Sequence, residues 1–219
     1  MTPRLYGHPF SSYTWKALIG LYEAGPAFDF RRVGADEPEN TARLRALWPL
    51  GKFPVLEADD GVWSESSAIV EWADRRRAGG PPLIPSDPQL ALEARMLDRI
   101  CDGYVMTAMQ ATVNHRLRPA EHGDAYGAER GRETLAQAYG WLDARTASRE
   151  WLVGDAFSLA DVSAAPSLFY ADWIAPVADH AHLAAYLRRL RARPSVARCV
   201  DDARPYRAFF PGGVPPHAD

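Results

Sequence analysis

Apolar residues recur at helical spacing near the start of the chain. Trp15, Leu18, Ile19 and Tyr22 fall at i, i+3, i+4 and i+7, one stripe of a helix that Gly25-Pro26 closes. Ahead of it, Leu5 and Tyr6 read as a short strand running into a Gly-x-Pro turn. Phe28, Phe30 and Arg32 alternate with Asp29, Arg31 and Val33, which predicts a second strand. Residues 34–40 are polar and read as a loop. Residues 41–48 are weakly helical, with Leu44, Leu47 and Trp48 on one face and Pro49 as the stop. Residues 51–58 read as a strand that starts at a proline, followed by an Asp59-Asp60-Gly61 hairpin turn and a return strand through Val62 and Trp63. Ser64 is the expected N-cap of the next helix, with Glu65 in its first turn and Ile69, Trp72 and Ala73 inward.

Beyond residue 79 the pattern changes. Gly79-Gly80-Pro81-Pro82 breaks it, and the remainder of the chain is patterned as helices. Asp87-Pro88 is an N-cap with proline in the first helical position. Leu90, Ala94, Leu97, Cys101 and Tyr104 form a long stripe that is expected to be buried. Residues 115–124 read as a loop and 128–146 as a second long helix. Ser158 and Asp161 have the spacing of a capping box ahead of a nearly apolar run, and Leu183, Tyr186, Leu187 and Leu190 mark a further helix. The expected organisation is a small α/β domain over residues 1–79, a linker over 80–87, an all-helical domain over 88–210 and a disordered tail over 211–219.

Composition narrows the function. A net charge of -3 offers no basic patch for nucleic acid, and no apolar run approaches the ~18 residues of a membrane span. No secretory leader is visible, so a cytoplasmic protein is expected. Cys101 and Cys199 lie far apart in apolar helical patterns and read as structural thiols. No metal-ligand cluster is expected. Of 25 Lys and Arg residues only Lys16 and Lys52 are lysine, so a lysine here stands out against an arginine background.

Ser11 and Ser12 sit where a strand hands over to a helix N-terminus. Such a terminus has free N–H groups and a partial positive charge, and it stabilises anions. A serine there is either a plain N-cap or a donor to a bound anion. The run from Leu5 to Lys16 resembles the N-terminus of serine-type glutathione transferases of the phi, theta and zeta-like classes. Residues 50–57 resemble that family's loop with its cis-proline, Trp63 to Ile69 its Glu-Ser-x-Ala-Ile motif, and Phe157 to Asp161 its C-terminal capping motif. The resemblance implies a thioredoxin-like N-terminal domain that binds glutathione, a helical domain that shapes a second pocket, and a homodimer.

It also implies roles. Ser11 takes the place of the family serine that holds the glutathione thiolate, with Ser12 as the alternative. Tyr6, near the site of tyrosine-type enzymes, reads as a packing residue. Pro54 matches the cis-proline beside Phe53 and presents the main chain of Val55 to the cysteinyl part of glutathione. Glu65 and Ser66 match the residues that hold the γ-glutamyl end. Lys52 matches the position that meets the glycyl carboxylate. Phe10, Tyr104, Met106 and Met109, with the tail aromatics Phe209 and Phe210, are candidates for an apolar second pocket. Asp161 matches the buried cap that stabilises the helical domain.

The implied activity is attack by the glutathione thiolate on a small apolar electrophile, as in detoxification. Glutathione serves as co-substrate, with no permanently bound cofactor. Isomerisation, dehalogenation or peroxide reduction on the same scaffold are alternatives, as is a non-catalytic glutathione-binding scaffold protein.

Overall fold

The computed structural model describes residues 1–216. The last three residues of the expected tail therefore lie outside the described residues. Over its earlier part, Arg116 donates to the Pro211 carbonyl at 3.1 Å.

The first strand, β1 (Arg4–Gly7), leads into α1 (Ser12–Ala24) and then β2 (Asp29–Arg32), which lies parallel to β1. Next come α2 (Pro38–Leu47), then the hairpin β3 (Val55–Ala58) and β4 (Gly61–Ser64), then α3 (Ser66–Asp74). Strand order is β2-β1-β3-β4, with β3 antiparallel to both of its neighbours. This is the thioredoxin-like arrangement. The Ser11 hydroxyl accepts from the Thr14 N–H and caps α1. At the other end, Gly25 at φ 82° donates its N–H to the Leu21 carbonyl, a left-handed cap that favours glycine.

Two starts differ from expectation. Helix α2 begins at Pro38, inside the stretch read as loop, because proline is suited to the first helical turn. Helix α3 begins at Ser66 rather than after Ser64. Ser64 is taken up by the β-ladder opposite Val55, and the chain turns at Glu65 with φ 69°.

The second layer is all helix. Helix α4 (Pro88–Ile100) runs through a π-helical turn (Cys101–Met106) into α5 (Thr107–Leu117) as one continuous rod. The wider turn rotates the buried face forward by about one residue. Tyr104, expected on the buried stripe, is therefore exposed, while Val105, Met106 and Met109 turn inward. Helix α5 also extends to Leu117, into the stretch read as loop. Helices α6 (Ala125–Thr146), α7 (Leu159–Asp172), α8 (Ala181–Ala192) and α9 (Pro194–Ala203) complete the layer. Helix α7 is buried along its whole length. Asp161 in its first turn accepts from the Ser158 N–H and hydroxyl, the Leu152 N–H and the Tyr186 hydroxyl.

One hydrophobic core joins the two layers. Trp15 of α1 packs on Phe169 and Tyr170 of α7, with ring centroids 4.8 and 5.2 Å away. A smaller cluster of Tyr6, Val33, Leu44 and Val55 seats α2 against the other face of the sheet. Among the described residues no helix is long and apolar enough to cross a membrane.

Candidate functional site

The loop between β1 and α1 is pinned from several sides. Trp15 Nε1 donates to the Pro9 carbonyl and the Tyr170 hydroxyl to the Phe10 carbonyl, at 2.5 and 3.0 Å. The Phe10 N–H donates to His8 Nδ1, and the His8 ring meets Tyr206 edge-on at 4.7 Å. Burial holds the His8 imidazole below its usual range, with the Arg32 guanidinium acting in the same direction, so this brace stays uncharged near neutral pH. Ser11 comes directly after this brace and faces a cavity of about 650 Å³.

The cavity gathers residues that are remote in sequence. Ser11 and Tyr13 form one side. Gly51, Lys52, Phe53 and Pro54 form a second, and Glu65 and Ser66 a third. Gly51 at φ 65° makes the turn after Trp48, a position where a residue with a Cβ would be strained. The Phe53-Pro54 bond is cis. Val55 lies one step deeper, buried in the sheet between Tyr6 and Ser64, and its side chain does not line the cavity. Ser12 is the first residue of α1 and does not line it either. Lys52 is exposed and has no ion-pair partner among the described residues.

The positive φ of Glu65 is costly for a residue with a Cβ, by roughly 1–3 kcal/mol. In exchange the turn brings the first N–H groups of α3 and the Ser66 side chain to the cavity edge. Free N–H groups at a helix start and a carboxylate beside them suit a ligand carrying both charges.

Tyr6 donates its hydroxyl to Glu57 at 3.0 Å, and Glu57 also pairs with Arg43. Tyr6 is thus a buried packing residue turned away from the cavity.

Sequence reasoning missed a polar cluster directly behind the site. Lys16 is 1% exposed, and its ammonium reaches Asp98 at 2.5 Å, Asp102 at 2.8 Å and the Ser67 hydroxyl oxygen at 2.8 Å. Ser67 donates onward to Asp98 at 2.9 Å, and Ser163 of α7 also donates to Asp98. Asp102 sits on the π-helical turn and lines the cavity beside Arg99. Burial pushes its carboxyl above the usual carboxylate range, against the pull of Lys16. The signal was legible: one of two lysines in the chain, three residues from Ile19 on the buried face of α1.

The second-substrate candidates scatter. Phe10 packs edge-on against Tyr170 at 5.4 Å, at the margin of the core. Met109 is buried in the core, and Tyr104 points outward because of the π-helical turn. Phe210 packs on Trp173 at 4.9 Å, and Phe209 is exposed. Met106 lines a cavity. It is a smaller one of about 280 Å³ that shares Tyr13, Gln110 and Asn114 with the larger. No group of three or more residues able to hold a metal occurs among the described residues.

Comparison with known proteins places this geometry. Residues 5–82 match the glutathione S-transferase N-terminal domain, and residues 100–194 match the glutathione S-transferase C-terminal domain. The chain is 30% identical to glutathione S-transferase 3 of Zea mays over 90% of its own length and 92% of the relative's. It is 30% identical to FtsZ-localized protein A of Caulobacter vibrioides, covering 76% of this chain and 78% of that one. Among solved structures, a glutathione S-transferase from Methylobacillus flagellatus with glutathione bound superposes with a TM-score of 0.83. It is 26% identical and matches over 90% of this chain and 98% of that one.

Proposed function

Because the chain belongs to the glutathione S-transferase family, we propose that it binds glutathione in the larger cavity and activates its thiol with Ser11, as serine-type members do. A free thiol has a pKa of about 8.5, so little of it is ionised at neutral pH. Lowering that by ~2 units takes about 2.7 kcal/mol of differential stabilisation of the thiolate. The Ser11 oxygen already accepts from the Thr14 N–H at 3.3 Å, which leaves the O–H hydrogen for the sulfur. The N-terminus of α1 adds its dipole at the same point. Ser66 and the start of α3 receive the γ-glutamyl carboxylate, and Glu65 receives the ammonium. Lys52 meets the glycyl carboxylate. Beside the cis-proline and Phe53, the main chain of Val55 pairs with the cysteinyl unit as a strand would. The activated sulfur then attacks an electrophile.

One observation carries this reading: Ser11, Lys52, Phe53, Pro54, Glu65 and Ser66, from three separate segments, line a single cavity. The test is a pH titration of the ultraviolet absorbance of bound glutathione thiolate. The wild-type protein should ionise it ~2 units below the free thiol. Ser11→Ala and Ser11→Gly should both remove the shift while glutathione still binds. Alanine also removes the helix cap, at about 1 kcal/mol, whereas glycine costs only a few tenths. Equal loss in the two variants therefore reports the hydroxyl, and a loss confined to alanine reports the cap. If Ser12→Ala is the damaging change, Ser11 is the wrong residue.

A glutathione-binding protein without catalysis is the competing reading, brought into view by the FtsZ-localized relative. Tight binding with an unshifted thiol pKa would establish it. Product analysis separates conjugation from isomerisation, since isomerisation returns glutathione unused. A second copy of this chain is the proposed partner. The outward face of α4 exposes Leu92 and Met96 four residues apart, next to the Arg95–Glu71 pair that ties α4 to α3. Light scattering reads the pairing directly.

A further inference from the structure

The turn between β1 and α1 is held closed by its own residues as well as by the helical layer. The His8 N–H donates to the Thr14 hydroxyl oxygen at 3.3 Å, the Ser11 N–H to the His8 carbonyl at 3.0 Å, and the Thr14 N–H to the Ser11 hydroxyl oxygen at 3.3 Å. Gly7 lets Thr14 lie this close, since a Cβ there would meet the Thr14 side chain at 2.6 Å. The Phe10 N–H closes the turn through the His8 side chain, reaching Nδ1 at 3.1 Å. An asparagine or aspartate oxygen makes the same bond, to the N–H two residues on, in an Asx-turn.

Here the acceptor is an imidazole nitrogen, and that changes what the turn can sense. A main-chain N–H can only donate, so Nδ1 carries the lone pair and the ring proton lies on Nε2. Protonation puts a hydrogen on Nδ1, and two donors then face each other. The other acceptors named in this turn are carbonyl and hydroxyl oxygens, which do not titrate. His8 is half-buried, so protons reach it. Tyr206, beyond α9, packs edge-on against the ring. The charged groups that act on it are Arg32 of β2 and Asp36 ahead of α2, with Glu37 joined to the same guanidinium. Burial and Arg32 oppose a positive charge on the ring and outweigh Asp36, which favours one. The change of charge therefore falls below the usual histidine value of about 6.5, on the acid side of neutrality.

We propose that His8 is a positioning residue that makes the thiolate site sensitive to pH: the turn holds Ser11 at the sulfur only while the imidazole is neutral, and a proton on Nδ1 releases the Phe10 N–H and lets Ser11 move off. This rests on the reading that Ser11 activates glutathione. Ser11 follows Phe10 directly, so a Phe10 peptide that turns away from the ring carries the hydroxyl with it. A displacement of about an ångström is enough to weaken such a contact severely. A charge on His8 acting only through space would do the reverse, since a nearby cation favours a thiolate.

The test follows the ultraviolet absorbance of the thiolate at saturating glutathione from about pH 8 down to about pH 5. Wild-type protein, His8→Asn and His8→Leu are compared, with glutathione affinity and the nitrogen NMR signals of the His8 ring recorded on the same samples. In the wild type the acid limb should be steeper than one proton allows, because His8 and the thiol lose their protons together, and the ring signals should titrate over the same range. His8→Asn keeps an acceptor for the Phe10 N–H but cannot titrate, so it should hold the thiol shift and follow a one-proton curve. His8→Leu keeps bulk without an acceptor, and should raise the proton affinity of the bound thiol about tenfold or more, one pKa unit. A one-proton limb in the wild type overturns the proposal, as does a rise in thiolate when His8 becomes charged. So does a leucine variant that ionises the thiol as the wild type does, or an asparagine variant no better than leucine. If His8→Leu does not fold, the steepness in the wild type against His8→Asn decides. An unshifted thiol in the wild type near pH 8 strikes the Ser11 reading instead.

Discussion

Replacing Lys16 by methionine should be among the most damaging single changes in the molecule. Methionine keeps much of the length of lysine but removes the charge. In the native protein all three ammonium hydrogens are used, on Asp98, Asp102 and Ser67, at 2.5, 2.8 and 2.8 Å. The side chains of Lys16, Asp98 and Asp102 are 1%, 3% and 10% exposed. Without Lys16 two carboxylates face each other out of water, and Asp98 keeps only the hydroxyls of Ser67 and Ser163. Removing one partner of a buried pair costs about 3–5 kcal/mol. Native domains are stable by only about 5–15 kcal/mol, so the loss is a large fraction of the whole. Urea unfolding followed by tryptophan fluorescence measures it, since Trp15 adjoins Lys16 and is fully buried. The double change Lys16→Met with Asp102→Asn should recover about half or more of the loss. The single variant should also lose less at mildly acidic pH. Burial already holds the Asp102 carboxyl above its usual range and the pull of Lys16 would be gone, so the penalty builds as pH rises from its unfolded pKa to the raised folded one and is relieved as pH falls. A cost under about 1 kcal/mol, or no recovery in the double variant, would refute the reasoning about the buried charges.

Glu57 offers the opposite sign. Its bond from Arg43, with that from Tyr6, holds its carboxyl below the usual range, so its contribution is present above the unfolded pKa of about 4.3 and fades as pH falls through the folded one. Glu57→Gln should therefore lower the melting temperature at pH 7, and the difference from wild type should shrink steadily as pH falls below about 4; a pH-independent difference would contradict this. Gly131 lets α6 approach α5 so closely that an added Cβ would lie 2.5 Å from the Ala108 carbonyl oxygen. Gly131→Ala should cost about 1–3 kcal/mol of unfolding free energy by urea titration, although alanine favours helix, and a gain in stability would show that the two helices can separate freely.

Much of the architecture was legible because the signals were local. Period-3.6 stripes marked α1, α6 and α8, alternation marked β2, and the Asp59-Asp60-Gly61 turn marked the hairpin. The Ser158 and Asp161 spacing announced the start of α7. The failures share a different cause. Ser64 is as good an N-cap by composition as any, but its place in the ladder opposite Val55 is a tertiary fact. Glu65 then takes a left-handed turn that no propensity favours. The π-helical turn adds a fraction of a residue to one turn, which moved Tyr104 out of the stripe while leaving the sequence pattern intact. In the same way Phe10 and Met109 have the chemistry of a pocket lining, but only packing decides that the core takes them.

The same contrast explains how the two layers cooperate. The residues expected to touch glutathione all lie in the first layer, yet the groups that fix Ser11 come largely from the second. Tyr170 holds the Phe10 carbonyl, Phe169 and Tyr170 pack on Trp15, and Tyr206 meets His8. Lys16, one turn into the helix that Ser11 caps, is tied to Asp98 and Asp102 of the helical layer and to Ser67 of α3. A helix N-terminus stabilises an anion only over its first turn, so a shift of α1 by an ångström or so would weaken both the dipole and the hydroxyl at the sulfur. The helical layer therefore does more than wall off a second pocket. It sets the position of the group on which the proposed chemistry depends, through contacts made by side chains that never touch a ligand.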